Sequence, residues 1–218
     1  MAWANRSLML LALVAALSCD DVGTVVPLPV TVRTVDLGGG VVATLGSDGS
    51  FSLASGPTKL VATAAGVPLL ARAADPNQPD AWHDPTQVHD DLTTSPIDLA
   101  TVDAEAVIDT STTKALHLVI PAQPDDTALL SVTLAADDGF YTGLGEQFDH
   151  VSARGRVSPM FFSTGSTIES DTNEAHVPVP FLVSSRGWGM FVASREAGAF
   201  DVASTDPGLV RATFEGRA

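Results

Sequence analysis

The chain has one cysteine, Cys19, among 218 residues, so no disulfide can form within it. Aromatic residues are scarce at 6 %, and basic ones are outnumbered, 11 Lys and Arg against 26 Asp and Glu. So acidic a chain repels phosphate backbones and anionic headgroups, which excludes nucleic acid as a partner. No apolar run reaches the roughly 20 residues a helix needs to cross a hydrocarbon core. Nor is there a long, capped pattern of period 3.6, a glycine loop that cradles phosphate before a helix, or a Gly-x-Ser-x-Gly elbow that exposes a nucleophile. Internal repeats and low-complexity tails are missing as well. What the chain does have is 45 % hydrophobic residues, enough for a sizeable core built mostly of Val, Leu and Ala.

The amino terminus has its own logic. Arg6 is followed by an apolar run over residues 8–17, too short to span a membrane, and then by Ala16-Leu17-Ser18-Cys19. One positive charge, a short apolar stretch and small residues before a cleavage point are the marks of an export signal. The four residues ending at Cys19 resemble a bacterial lipoprotein signal, in which the cysteine is acylated and becomes the first residue of the mature chain. The alternative is an ordinary cleaved signal with an incidental cysteine; lipid attachment explains why a lone cysteine stands where the apolar run ends. The expected organisation is a signal peptide over residues 1–18, a lipid anchor with a linker or edge strand over 19–36, and a β-sandwich domain over 37–218. Loss of residues 1–18 removes Arg6, leaving 10 basic residues against 26 acidic, 10 − 26 = −16 in formal charge. The protein is then exported and membrane-anchored, facing the periplasm or the cell surface. Asp20 and Asp21 suggest inner-membrane retention under the sorting rule of enteric bacteria.

From residue 22 onward the pattern is that of short strands. Residues 22–36 are rich in Val and Thr but broken by Pro27 and Pro29, which suits an edge strand or extended linker. Gly38-Gly39-Gly40 reads as a hinge. Residues 41–45 and 51–54 flank Asp48-Gly49, a hairpin signal. Further strands are expected over 59–65 and 67–73, and residues 97–108 resume a mixed apolar pattern. Leu116, Leu118 and Ile120 alternate with His117 and Val119, and Leu130, Val132 and Leu134 with Ser131 and Thr133, the period of a half-buried strand. Residues 177–183, 189–193 and 210–214 continue the series, whereas 74–96 reads as a long polar surface loop around Trp82. The fold class is all-β, a mostly antiparallel β-sandwich.

Residues 140–203 carry the most specific signal. Phe140-Tyr141-Thr142-Gly143-Leu144-Gly145-Glu146-Gln147-Phe148 leads to Arg154-Gly155-Arg156, then to Asn173-Glu174-Ala175-His176-Val177-Pro178-Val179-Pro180-Phe181, then to Arg186-Gly187-Trp188-Gly189-Met190-Phe191-Val192. This order resembles the N-terminal β-sandwich of glycoside hydrolase family 31, the α-glucosidases, α-xylosidases and sulfoquinovosidases. The resemblance implies a galactose-mutarotase-like supersandwich in which the strands at 140–145 and 177–183 pair. Trp188, Met190 and Val192 fall on one face of a strand with Phe191 on the other, a core-packing pattern.

Retaining glycosidases need two carboxyl groups about 5–5.5 Å apart. In this family both come from a (β/α)₈ barrel of about 250 residues, which the sequence, with no Trp-Asp-x-Asn-Glu-like motif, does not contain. No catalytic residue is therefore assigned. The resemblance implies that the loop before the Pro-Phe strand leans over the barrel mouth, which makes Asp171, Asn173, Glu174 and His176 candidate sugar contacts. The same residues serve equally as turn caps in a solvated loop. Gly-Glu-Gln-Phe and the later Arg-Gly lean toward the sulfoquinovosidase branch, but that branch has a Glu-Gln pair where this chain has Thr164-Gly165. No cofactor is expected. His83, Asp84, His89, Asp90 and Asp91 lack metal-ligand spacing and read as a solvated loop, and Glu146 reads as structural. Expected partners are an α-glycoside, the barrel of the same polypeptide and, through the lipid, a membrane. The alternative function is a surface lipoprotein that binds a glycan or partner protein without catalysis.

Overall fold

The computed structural model describes residues 9–14, 31–66, 68–73, 82–87, 92–108, 114–120, 127–145, 150–161 and 177–216. Strands β1 (Met9–Val14), β2 (Val32–Gly38), β3 (Val41–Gly46), β4 (Phe51–Ser55) and β5 (Thr58–Ala62) come first. They are followed by β6 (Leu70–Ala73), β7 (Thr93–Pro96), β8 (Asp103–Ile108), β9 (Lys114–Ile120) and β10 (Thr127–Ala135). The last are β11 (Tyr141–Gly143), β12 (Arg156–Pro159), β13 (Phe181–Ser184), β14 (Trp188–Ala193), β15 (Gly198–Val202) and β16 (Leu209–Glu215). The described residues contain no helix, and every strand pair is antiparallel.

Among the described residues three sheets form: β11-β13-β14-β1-β9-β8, β12-β15-β16-β10-β6-β7, and the small meander β2-β3-β4-β5. Their apolar faces build one continuous core, to which Leu45 and Leu53 of the meander, Leu118 and Met190 of the first sheet, and Val132 and Phe200 of the second all contribute. The all-β sandwich expected from the sequence is the fold observed. A backbone bridge between Thr63 and Leu134 ties the end of the meander to β10.

The meander follows from its turn chemistry. Gly39 and Gly40 both have positive φ, +62° and +80°, as the central residues of a two-residue hairpin require. The glycine run is therefore a tight turn between β2 and β3, not a hinge. At the next turn Asp48 accepts a hydrogen bond from the Ser50 amide at 3.0 Å, and Gly49 at φ +77° sits where a Cβ would lie 2.5 Å from the Leu69 carbonyl. The Asp-Gly hairpin signal is borne out.

Alternation also holds where one face is covered: Leu116, Leu118 and Ile120 are buried, as are Trp188, Met190 and Val192. It fails at β10. Ser131 and Thr133 are as buried as Leu130 and Val132, and Leu92 clusters with Ala128 and Leu129. A strand covered on both faces loses its period of two. Two further differences concern strands the pattern does not announce. Residues 93–96, inside the expected polar loop, form the edge strand β7 against β6. Residues 9–14, inside the expected signal, form β1, paired with β14 on one side and β9 on the other.

Candidate functional site

The polar centre of the molecule lies where β10 hands over to β11. Asp137 follows the buried strand, and its Oδ2 accepts hydrogen bonds from Trp188 Nε1 at 2.6 Å and Ser184 Oγ at 2.8 Å. Its Oδ1 accepts from the Gly139 amide at 2.7 Å, closing the turn. The Asp137 amide donates to the Tyr141 hydroxyl at 2.8 Å, and the Arg154 guanidinium donates to the Asp137 carbonyl. That guanidinium also lies over the Tyr141 ring, 5.0 Å from its centroid, an arrangement that adds a cation–π attraction. Tyr141 and Trp188 meet edge to face at 5.9 Å. Burial, and after it the Asp137 charge, push the Tyr141 phenol above its ordinary range.

With both oxygens engaged by three donors, Asp137 is a brace between β11, β13 and β14. Its neighbour Asp138 is exposed and paired with Arg186, whose hydrogen bond and, after it, charge hold that carboxyl below the usual range. Such charge-assisted bonds at the root of the Gly-Leu-Gly strand fix its direction.

Beyond the brace, the backbone itself does the positioning. Gly143, Leu144 and Gly145 all have positive φ. A Cβ on Gly143 would lie 2.2 Å from the Phe181 carbonyl oxygen, and one on Gly145 only 1.9 Å from that of Val177. Only glycine permits so close an approach. The Leu144 amide bonds the Phe181 carbonyl at 2.8 Å, and β11 pairs with β13 from Tyr141 opposite Ser184 to Gly143 opposite Leu182. The pairing that the resemblance requires is thus present. The candidate contacts Asp171, Asn173, Glu174 and His176 lie outside the described residues, as do Cys19 and Glu146. Around the ends of that segment Val177, Val179 and Phe181 are exposed, and so are Phe140 and Val151 beside β11.

Sequence reasoning did not single out Asp137, Ser184 or the brace role of Arg154. The available signal was Asp137-Asp138-Gly139, a turn after an apolar strand, but nothing local says that its carboxylate meets Trp188, 51 residues on. Of the metal candidates set aside, Asp84 closes a turn by accepting from the Thr86 amide and hydroxyl. Among the described residues no three His, Cys, Asp or Glu converge as metal ligands.

The described residues thus form antiparallel sheets in which a Gly-Leu-Gly strand is pinned to a Pro-Phe strand. The family described as the glycosyl hydrolase 31 N-terminal galactose mutarotase-like domain matches residues 57–201, well over half of the chain. The chain belongs to that family. It is 29 % identical over 86 residues to the α-xylosidase XylQ of Lactiplantibacillus pentosus, covering 39 % of this chain and 11 % of the relative. Among solved structures it is similar to a family 31 dextranase of Flavobacterium johnsoniae complexed with glucose, at 14 % identity and TM-score 0.39, covering 86 % of this chain and 24 % of that one. A cycloalternan-degrading enzyme of Trueperella pyogenes gives 17 % identity and TM-score 0.37 over 78 % of this chain and 28 % of its own. The chain therefore spans about a tenth of the curated relative and about a quarter of the solved ones.

Proposed function

We propose that this chain serves as the exported, non-catalytic N-terminal domain of an α-glycoside hydrolase and shapes its sugar site through the polar segment between β12 and β13. The observation that carries this reading is the glycine clamp. Gly143 and Gly145 seat the backbone of residues 177–181 against the first sheet, while the Met160 amide bonds the Gly198 carbonyl at 2.7 Å in the second. The segment bearing Asp171, Asn173, Glu174 and His176 thus starts and ends on fixed points of the sandwich, and rigid roots are what a loop needs to position ligand groups.

The test uses the whole hydrolase containing this domain, with each of the four residues changed to alanine. Loss of one hydrogen bond to a sugar hydroxyl is expected to raise KM about two- to tenfold with kcat little changed. Unaltered KM in all four variants would assign the segment to turn formation alone. Residues 1–218 by themselves are expected to leave aryl α-xylosides and α-glucosides intact, and turnover by them would sink the non-catalytic reading. Anchoring through Cys19 is tested by labelling cells with radioactive palmitate, which Cys19→Ser should abolish.

The exposed Phe140, Val151, Val177, Val179 and Phe181 favour a second reading in which this face docks a partner protein and no barrel is needed. Isomaltose binding to the chain alone, measured by calorimetry, would support a self-sufficient glycan-binding lipoprotein.

A further inference from the structure

Three tryptophans occur in the chain, and the two among the described residues differ in a way that burial does not explain. Trp188 is 2 % exposed and Trp82 is 61 % exposed. Each indole N–H nevertheless donates to a carboxylate at 2.6 Å, Trp188 to Asp137 and Trp82 to Glu215. A buried indole must find an acceptor. An exposed one has water for that purpose, so the bond to Glu215 serves to fix the direction of the ring. Other contacts support it. Phe161 stands against Trp82 at 85°, with the ring centroids 6.2 Å apart. Just after Trp82 the backbone is held in a turn: Asp84 Oδ1 accepts from the Thr86 amide at 2.9 Å and its hydroxyl at 2.7 Å, and the Gln87 amide bonds the Asp84 carbonyl at 3.0 Å. The partners of the ring stand on the second sheet. Glu215 ends β16 opposite Leu129 of β10, and Phe161 follows Met160, whose amide bonds the Gly198 carbonyl of β15. Trp82 is thus an indole held in place yet left mostly in water.

The chemistry around the ring selects its ligand. A chain of formal charge −15 repels anions. A wholly apolar ligand would dehydrate the Glu215 carboxylate without giving it a partner. A cation is drawn to the face of an aromatic ring, whereas the Glu215 charge lies beyond the N–H edge. A neutral ring with an apolar face and hydroxyls around its rim satisfies both groups, and that is a pyranose. Its C–H groups, slightly positive, meet the negative face of the indole. Its rim hydroxyls reach past the edge of the indole and donate to the carboxylate, which has about four lone-pair sites and gives one to Trp82. We propose that Trp82, Glu215 and Phe161 form a stacking site for one pyranose unit of a glycan. The ring is already ordered, so binding loses little side-chain freedom. The site uses none of Asp171, Asn173, Glu174 or His176 and requires no barrel.

Fluorine NMR on the full chain labelled with 5-fluorotryptophan tests the site, the Trp82 signal being assigned by its loss in Trp82→Phe. Isomaltose should move that signal along a saturating curve with a dissociation constant in the millimolar range, while the buried Trp188 signal stays still. Sorbitol, which has the hydroxyls but no ring face, should give no saturating shift. Glu215→Ala removes the acceptor and frees the indole, and should weaken isomaltose at least about tenfold. Trp82→Ala, at an exposed position, should leave the thermal midpoint in place and abolish binding by calorimetry. A Trp82 signal that neither isomaltose nor methyl α-xyloside moves overturns the site, as does an equal response to sorbitol. A shift with tetramethylammonium chloride and none with sugar overturns it in favour of a cation. Isomaltose binding that survives Trp82→Ala overturns it too and belongs to the glycan-binding reading given under Proposed function. Hydrolysis of aryl glycosides by residues 1–218 would sink the non-catalytic reading and leave this site standing.

Discussion

The meander β2–β5 and the sheet β11-β13-β14-β1-β9-β8 are both antiparallel, but they are specified in different ways. In the meander each strand pairs with its neighbour in sequence through turns of two to four residues. Its glycines supply the positive φ of those turns, and alternation carries Val41, Ala43 and Leu45 of β3 and Phe51 and Leu53 of β4 into the core. In the larger sheet only β8–β9 and β13–β14 are consecutive. The rest is assembled by strands far apart in sequence, and a polar brace around Asp137 holds one end. Local turn chemistry suffices where partners are adjacent. Where they are not, buried hydrogen bonds and close backbone contact fix which strands meet.

Glycine substitutions should divide the two regions most sharply. Gly145→Ala sets a Cβ 1.9 Å from the Val177 carbonyl oxygen at φ +99°, so overpacking and strain together should cost about 3–5 kcal/mol. Gly56→Ala, in the β4–β5 turn at φ +56° with nothing within 4 Å, should cost only about 1–2 kcal/mol. Urea unfolding of both variants decides, and equal losses would erase the distinction.

Asp137→Ala comes next. It strands Trp188 Nε1, Ser184 Oγ and the Gly139 amide, for a loss of about 2–4 kcal/mol. In the meander, Asp48→Ala frees one amide and one hydroxyl near solvent and should cost about 1 kcal/mol, read by the same titration.

Tyr141 offers a spectroscopic test of the brace because it is the sole tyrosine. Its phenol is raised by burial first and by the Asp137 charge second. The folded state therefore binds the proton more tightly than the unfolded state, whose value is about 10. The stability this contributes is complete below about pH 10 and drains away above it. Tyrosinate absorbance should stay absent through the ordinary range and appear together with unfolding. A phenol that titrates normally in the folded protein would show the ring to be in water.

The smallest effect belongs to Asp138 and Arg186. The pair lowers the Asp138 carboxyl, so its contribution is present above the ordinary carboxylate range and lost as pH falls below it. Exposure and salt screening keep it slight. Arg186→Gln should remove that pH dependence with little change in the neutral-pH midpoint, and a large change there would place the pair inside the brace.

Much of the architecture could be read from residues alone. Period-two alternation located β9 and β14, the Asp48-Gly49 turn located the β3–β4 hairpin, and the order of motifs from Phe140 to Val192 named the family and foretold the pairing of β11 with β13. Other features were not legible. Thr127–Ala135 hides its period because both faces are covered. The edge strand Thr93–Pro96 has four polar or small exposed residues, and only its partner β6 makes it a strand. Gly38-Gly39-Gly40 looks like a hinge until the two strands it joins are seen paired. Asp137 was passed over because its role exists only through Trp188 and Ser184.

By itself, then, the sequence determined the all-β class, the excess of acidic residues, the Asp48-Gly49 turn and the family. Each of these depends on residue type and spacing within a few positions. The tertiary structure alone decided which strands became neighbours, that Asp137 ties three of them together, and that residues 9–14 lie between β9 and β14. Those outcomes depend on contacts between groups dozens of residues apart, which local preference cannot encode.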